Sequence, residues 1–125
     1  MNLGLKGKVV IVTGGSKGIG LACARAFLLE GGRVAIVSRK PANLDAALRD
    51  LAAPPVDLIA IPCDLTGRTA ATAMVAEVEQ RLGPVEVLVN SAGAAKRYLP
   101  EELNAEAWHA AMDAKYFTYI HAMDA

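Results

Sequence analysis

Four glycines crowd the stretch Thr13-Gly14-Gly15-Ser16-Lys17-Gly18-Ile19-Gly20, directly after the β-branched run Val9-Val10-Ile11-Val12. Glycines at this density let a chain turn sharply with positive φ and let a ligand approach bare backbone. A helical stretch from Leu21 to Glu30 follows, so its unpaired N–H groups and the positive end of its dipole face the turn. Phosphate binding is the chemistry this order of residues suits. An ordinary tight strand–helix turn is the plain alternative. Three more polar or small-residue clusters each close an apolar run: Ser38-Arg39-Lys40, Asp64-Leu65 and Asn90-Ser91-Ala92-Gly93.

The elements that must position these clusters alternate regularly. Residues 8–13, 33–38, 58–63 and 85–90 read as strands, and the first has the continuous apolar character of a strand buried on both faces. Helices are predicted over 18–30, from Pro41 and Asn43 to about Ala52, and from Arg68 to Leu82, the last ended by Gly83-Pro84. A final helix starts near Asn104. Strands alternating with helices predict an α/β fold, a Rossmann-type parallel sheet with helices on both faces and right-handed crossovers. Pro62 places the third strand at a sheet edge.

Composition narrows the class further. The chain has 125 residues and is 54% hydrophobic, enough for one globular domain with a core. Thirteen basic and thirteen acidic residues cancel, which argues against a general nucleic-acid partner. No run reaches the roughly 20 apolar residues of a membrane span, and MNLGLKGK lacks the apolar core of a secretory signal. Cys23 and Cys63 fit no ligand spacing and read as two buried thiols in a reducing cytoplasm. His109 and His121 lack a partner at metal-ligand spacing, so no metal site is expected and both are assigned to packing or surface. Glu101 and Glu102 fit the acid-rich start of a helix better than a catalytic pair.

With these elements in place, three motifs carry a family resemblance. Thr13–Gly20 matches TGxxxGIG of the short-chain dehydrogenase/reductase family, and Asn90-Ser91-Ala92-Gly93 resembles its NNAG motif with Ser in second position. Asp64-Leu65 resembles its acidic–aliphatic pair after the third strand. The resemblance implies an incomplete sheet of about four strands in the order 3-2-1-4, with no later strands, over residues 1–125. It also implies that Gly14, Gly18 and Gly20 shape a turn under a pyrophosphate, with Ser16, Lys17 and Ile19 in that turn and Thr13 bracing it. By the same resemblance, Asp64 and Leu65 would hold an adenine ring, and Asn90, Ala92 and Gly93 would line the floor of the cleft. Asp64 as a helix N-cap and Gly93 as a plain turn former are the structural alternatives.

Cofactor choice follows from the end of the second strand. An NAD site needs a carboxylate there to accept both ribose hydroxyls. Ser38, Arg39 and Lys40 stand there instead, with no acid nearby. A 2′-phosphate is suited by Ser38 and a guanidinium, and Lys17 adds a cation from the glycine turn. These residues predict NADP(H).

The family's catalytic groups are a different matter. Its Tyr-x-x-x-Lys pair and a Ser at the end of a fifth strand have no counterpart: Glu102, Ile120 and Met123 stand four residues after Tyr98, Tyr116 and Tyr119. Lys115 occupies the position of the family's helix Asn, where a contact to a relay water and a solvated surface role are both open. Trp108, Met112, Tyr116, Tyr119 and Met123 recur at helical spacing as a core or interface stripe. The last helix meets Ala125 without a capping Gly, and the fourth strand lacks a further neighbour, so the chain is expected to be the N-terminal, cofactor-binding portion of a longer reductase. Lys96 and Arg97 read as a solvated loop at the cleft mouth, with an anionic-substrate contact as the alternative.

Three functions are therefore weighed: an NADP(H)-dependent oxidoreductase moving hydride between nicotinamide and a carbonyl, alcohol or activated double bond; a non-catalytic dinucleotide-binding module; and an inactive remnant. The first is favoured by family, with an unspecified small-molecule substrate, a cytoplasmic setting, and homo-oligomers at full length. Neither nucleic acid nor membrane is expected as a partner.

Overall fold

Hydrophobic alternation decides the layering. In a computed structural model, which describes residues 1–94 and 96–125, β1 (Val9–Thr13) is buried along its whole length. Its side chains point alternately to two faces. Val9 and Ile11 join Ala35, Val37, Ile59 and Ile61 on one face, packed against Ala71, Met74, Val78 and Leu82 of α3 (Arg68–Leu82). Val10 and Val12 join Val34, Ile36 and Leu58 on the other, against Ala24 of α1 (Gly18–Leu29) and Leu44 and Ala47 of α2 (Pro41–Leu51). The result is two cores separated by one sheet.

The sheet has four parallel strands in the order β3-β2-β1-β4, with β2 at Arg33–Ser38, β3 at Leu58–Pro62 and β4 at Val85–Asn90. Register is set by pairs such as Ile11 with Ala35 and Leu88, and Thr13 with Val37 and Asn90. Pro62 does lie in an edge strand, where its missing N–H costs no ladder bond. The opposite edge is β4, whose residues are only half-buried apart from an exposed Glu86 that pairs with Lys8 at 2.7 Å.

The end of the chain departs from one continuous helix. After a 3-10 turn at Pro100–Glu102, α4 (Ala105–Met112) starts on Asn104, whose Oδ1 accepts from Ala107 N at 2.8 Å. The Glu102 carboxylate accepts from Leu99 N at 3.0 Å, so it serves the start of that turn. A π-helical turn, Asp113–Phe117, then separates α4 from α5 (Thr118–Asp124). The wider turn carries the Ala114 carbonyl to the Ala94 N–H at 3.3 Å, which docks this segment on the loop after β4. Trp108, Met112, Tyr116 and Met123 are exposed, so the apolar stripe is not core in this chain. Among the described residues, no helix is long and apolar enough to cross a membrane.

Candidate functional site

The order β3-β2-β1-β4 contains a switch point. The chain steps outward from β1 through β2 to β3, then returns to place β4 on the other side of β1. Ligands of open parallel sheets bind outside the carboxyl ends of the strands at such a point. A cleft of about 490 Å³ opens there, bounded by the loops after all four strands and by the α4–α5 segment.

The glycine turn is fixed from both sides. Gly14 N and Gly15 N donate to the Val37 carbonyl at the end of β2, at 2.8 and 3.3 Å. On the other side the fully buried Thr13 hydroxyl donates to the Val89 carbonyl at 3.3 Å and accepts from Ser91 N and Ala92 N at 3.2 Å each. Gly14 has φ +66°, and a Cβ on it would stand 2.7 Å from the Ser91 carbonyl oxygen. A side chain at Gly20 would overlap the Gly14 carbonyl. Backbone thus fills the space that side chains would need, and the turn stays bare toward the cleft.

Helix α1 begins at Gly18 with neither a side-chain cap nor an acid in its first turn. Its leading N–H groups have no partner within the helix, an arrangement suited to an anion. This cradle, which a Cβ at Gly14 or Gly20 would disturb, fits a pyrophosphate.

Ten residues expected at the cofactor line the cleft: Gly14, Ser16, Lys17, Ile19, Ser38, Arg39, Asp64, Leu65, Ala92 and Gly93. Thr13, Gly18, Gly20 and Asn90 do not line it. Thr13 and Gly20 support the turn from behind. Asn90 stands beside Thr13 in the β1–β4 ladder, its Oδ1 buried and without a hydrogen-bond partner among the described residues. Lys96 lies over the Tyr98 ring, 5.0 Å from its centroid, and neither Lys96 nor Arg97 lines the cleft.

Asp64 is not the helix cap, which is Gly67. Its Oδ1 instead accepts from the Thr66 hydroxyl at 2.7 Å and Thr66 N at 3.0 Å. These bonds hold the carboxyl below its ordinary value, with a smaller contribution from the charge of Arg39. Cys23 and Cys63, expected to be buried, are both half-buried, and Cys63 follows the last ladder residue of β3 and borders the cleft. Burial pushes its thiol up, and the Asp64 charge adds to that shift.

Several lining residues were not foreseen. Asn43 enters from the first turn of α2, and Ala114 and Thr118 reach across from the π turn and the start of α5. His121, assigned to packing or surface, places Nδ1 at 2.7 Å from the Leu65 carbonyl oxygen. A carbonyl only accepts, so Nδ1 carries the proton. The bond ties α5 to the loop that presents Asp64 and Leu65.

The comparisons with known proteins agree with this geometry. The family model for short chain dehydrogenases matches residues 8–125, and the chain belongs to that family, whose members bind a nicotinamide dinucleotide. It is 34% identical over 107 residues to the 2,3-dihydro-2,3-dihydroxybenzoate dehydrogenase of Bacillus subtilis, covering 86% of this chain and 41% of that one. Galactitol 2-dehydrogenase of Cereibacter sphaeroides is 39% identical over 108 residues, with the same 86% and 41% coverage. The L-sorbose reductase of Gluconobacter frateurii, solved with NADPH and L-sorbose, superposes with a TM-score of 0.89 at 30% identity, covering 99% of this chain and 48% of that one. The chain thus spans less than half the length of each of these three relatives.

Proposed function

We propose that this chain provides the cofactor-binding half of an NADP(H)-dependent short-chain dehydrogenase/reductase, moving hydride between nicotinamide and a carbonyl, alcohol or activated double bond. The observation that carries the NADP(H) reading is the charge at one end of the cleft. Lys17, Arg39 and Lys40 line it together with Ser38 and Asn43 beyond β2, and Asp64 is the single acid among the described lining residues. Asp64 closes β3, not β2, and Thr66 engages one of its oxygens. Three cations and two neutral polar side chains suit a 2′-phosphate, whereas the 2′- and 3′-hydroxyls of NAD call for a carboxylate after β2.

In this reading the pyrophosphate rests on the uncapped start of α1, beside Ser16 and Lys17. Adenine lies between Leu65 and the α2 side of the cleft, with Asp64 as its polar contact. Lys17, Ser38 and Arg39 take the 2′-phosphate. When bound, the nicotinamide supplies or accepts the hydride. The protein's part is to hold that ring over the Ala92-Gly93-Ala94 loop. A Tyr-x-x-x-Lys pair for the accompanying proton is not among the 125 residues. The segment therefore accounts for binding, and turnover calls for proton-handling groups beyond those it carries.

Titration of wild type and Arg39→Asp with NADPH and NADH tests the reading. NADPH should bind wild type at least tenfold tighter than NADH, and the substitution should erase that preference. Equal preference in both proteins would contradict it. Tight NADPH binding by a protein that stays inactive when the remainder of a family reductase is supplied would favour a non-catalytic module.

A further inference from the structure

Beside the nicotinamide side of the cleft, packed on one of its lining residues, stands a cation that the proposed binding scheme leaves unused. Gly93, in the loop after β4, lines the cleft and has φ +152°. The position its Cβ would occupy lies 3.0 Å from Lys115 Cδ and 3.4 Å from Lys115 Nζ. The lysine side chain therefore runs back across Gly93, exposed and behind the cleft lining, of which Lys115 itself is not a part. The π turn puts it there: Lys115 is the central residue of Asp113–Phe117, and its neighbour Ala114 is fastened to the Ala94 N–H and lines the cleft. Thr118, which lines the cleft too, donates its hydroxyl to the Lys115 carbonyl at 3.1 Å. Among the described residues, Lys115 enters no salt bridge.

Its place relative to the switch point gives this charge a meaning. Ser38, Arg39 and Asp64 lie on the β2–β3 side, whereas Gly93, Ala94 and Ala114 lie on the β4 side. A dinucleotide crossing the crevice puts one nucleotide on each side. If the phosphorylated adenosine lies with Arg39, the nicotinamide falls beside Gly93. The oxidised ring carries a positive charge and the reduced ring none. The phosphates, riboses and adenine are otherwise the same in both forms.

We propose that Lys115 sets the cofactor's redox preference, its ammonium over Gly93 disfavouring the cationic oxidised nicotinamide relative to the neutral reduced one. The proposal rests on the assignment of the cleft to NADP(H). Lys115 is exposed, so with an effective dielectric of about 40 a like charge at roughly 8 Å shifts relative affinity by about fivefold at low salt and less at high salt. The charge acts on the ring and leaves the adenosine anchor untouched, so the effect belongs to the ratio of the two affinities.

The test is titration of the 125-residue chain with NADPH and with NADP⁺, for wild type, Lys115→Gln and Lys115→Arg, with thermal unfolding of each recorded alongside. Wild type should bind NADPH tighter than NADP⁺. Lys115→Gln should lower that ratio by about fivefold, mainly by tightening NADP⁺, and Lys115→Arg should keep the wild-type ratio. Raised salt should bring the wild-type ratio toward that of Lys115→Gln. An unchanged ratio in Lys115→Gln, or equal weakening of both forms, would overturn the proposal while leaving the cofactor assignment intact. Failure of folded wild type to bind either form would overturn the assignment and the proposal together.

Discussion

The Thr13 hydroxyl and the Ala92 amide meet at 3.2 Å, joining the end of β1 to the loop after β4 across the line where the strand order reverses. The same oxygen also takes the Ser91 N–H and gives its proton to the Val89 carbonyl. One buried side chain thus ties the two sides of the switch point together. Thr13→Val keeps the shape and removes the hydroxyl, leaving two amides without their acceptor. It should lower stability by about 1–3 kcal/mol and weaken dinucleotide binding. Thr13→Ser, which retains the oxygen, should lose far less in the same denaturation and titration series.

Two glycines with positive φ separate backbone strain from collision. Gly18 has φ +54° with nothing within 4 Å of a Cβ, whereas Gly14 has φ +66° with the Ser91 carbonyl at 2.7 Å. Gly18→Ala should cost only the left-handed backbone term, about 1–2 kcal/mol. Gly14→Ala adds displacement of the Ser91–Ala92 loop, so it should be the less stable of the two and should bind cofactor more weakly. Urea midpoints of both variants check the order.

Asp64 and Thr66 give a pH signature. The folded carboxyl titrates below its ordinary value of 3.8, chiefly through the Thr66 side-chain bond. A depressed folded pKa stabilises the fold above the unfolded pKa, and that stabilisation fades as pH falls through the folded value. Thr66→Val should therefore be less stable than wild type near neutrality. The part of the gap owed to Asp64 ionisation should close well below pH 3.8, as followed by thermal unfolding across the acid range.

Cys63 reports occupancy of the cleft. Its thiol is pushed above its ordinary value of 9.0 by burial, then by the Asp64 charge, so it stays protonated at neutral pH. In a Cys23→Ser background, alkylation should be slow near neutrality, accelerate in alkali, and slow markedly when NADPH is added. Cofactor-independent labelling would place the dinucleotide away from this wall.

The strands and the first three helices were legible in the sequence because each carries its own periodicity and breakers. The glycine turn, Ser38-Arg39 and Asp64-Leu65 were legible because each follows its strand directly. The π turn was not: Asp113–Phe117 continues a good helical pattern, and its widening shows only in the Ala94–Ala114 contact. His121 was read as packing or surface for a similar reason, since 56 residues separate it from Leu65 and no local signal links them. Asn43 looked like part of a helix start, and only the approach of α2 to the end of β2 brings it into the cleft. Contacts made by tertiary docking leave little trace in local pattern.

The claim that Lys17, Ser38 and Arg39 form a 2′-phosphate site is tested most directly with the adenosine half of the cofactor alone. Calorimetric titration with adenosine 2′,5′-bisphosphate and with adenosine 5′-monophosphate removes every contribution from the nicotinamide side. The account predicts that the bisphosphate binds at least tenfold tighter, with an advantage that shrinks as salt rises. Equal affinity for the two nucleotides would contradict it.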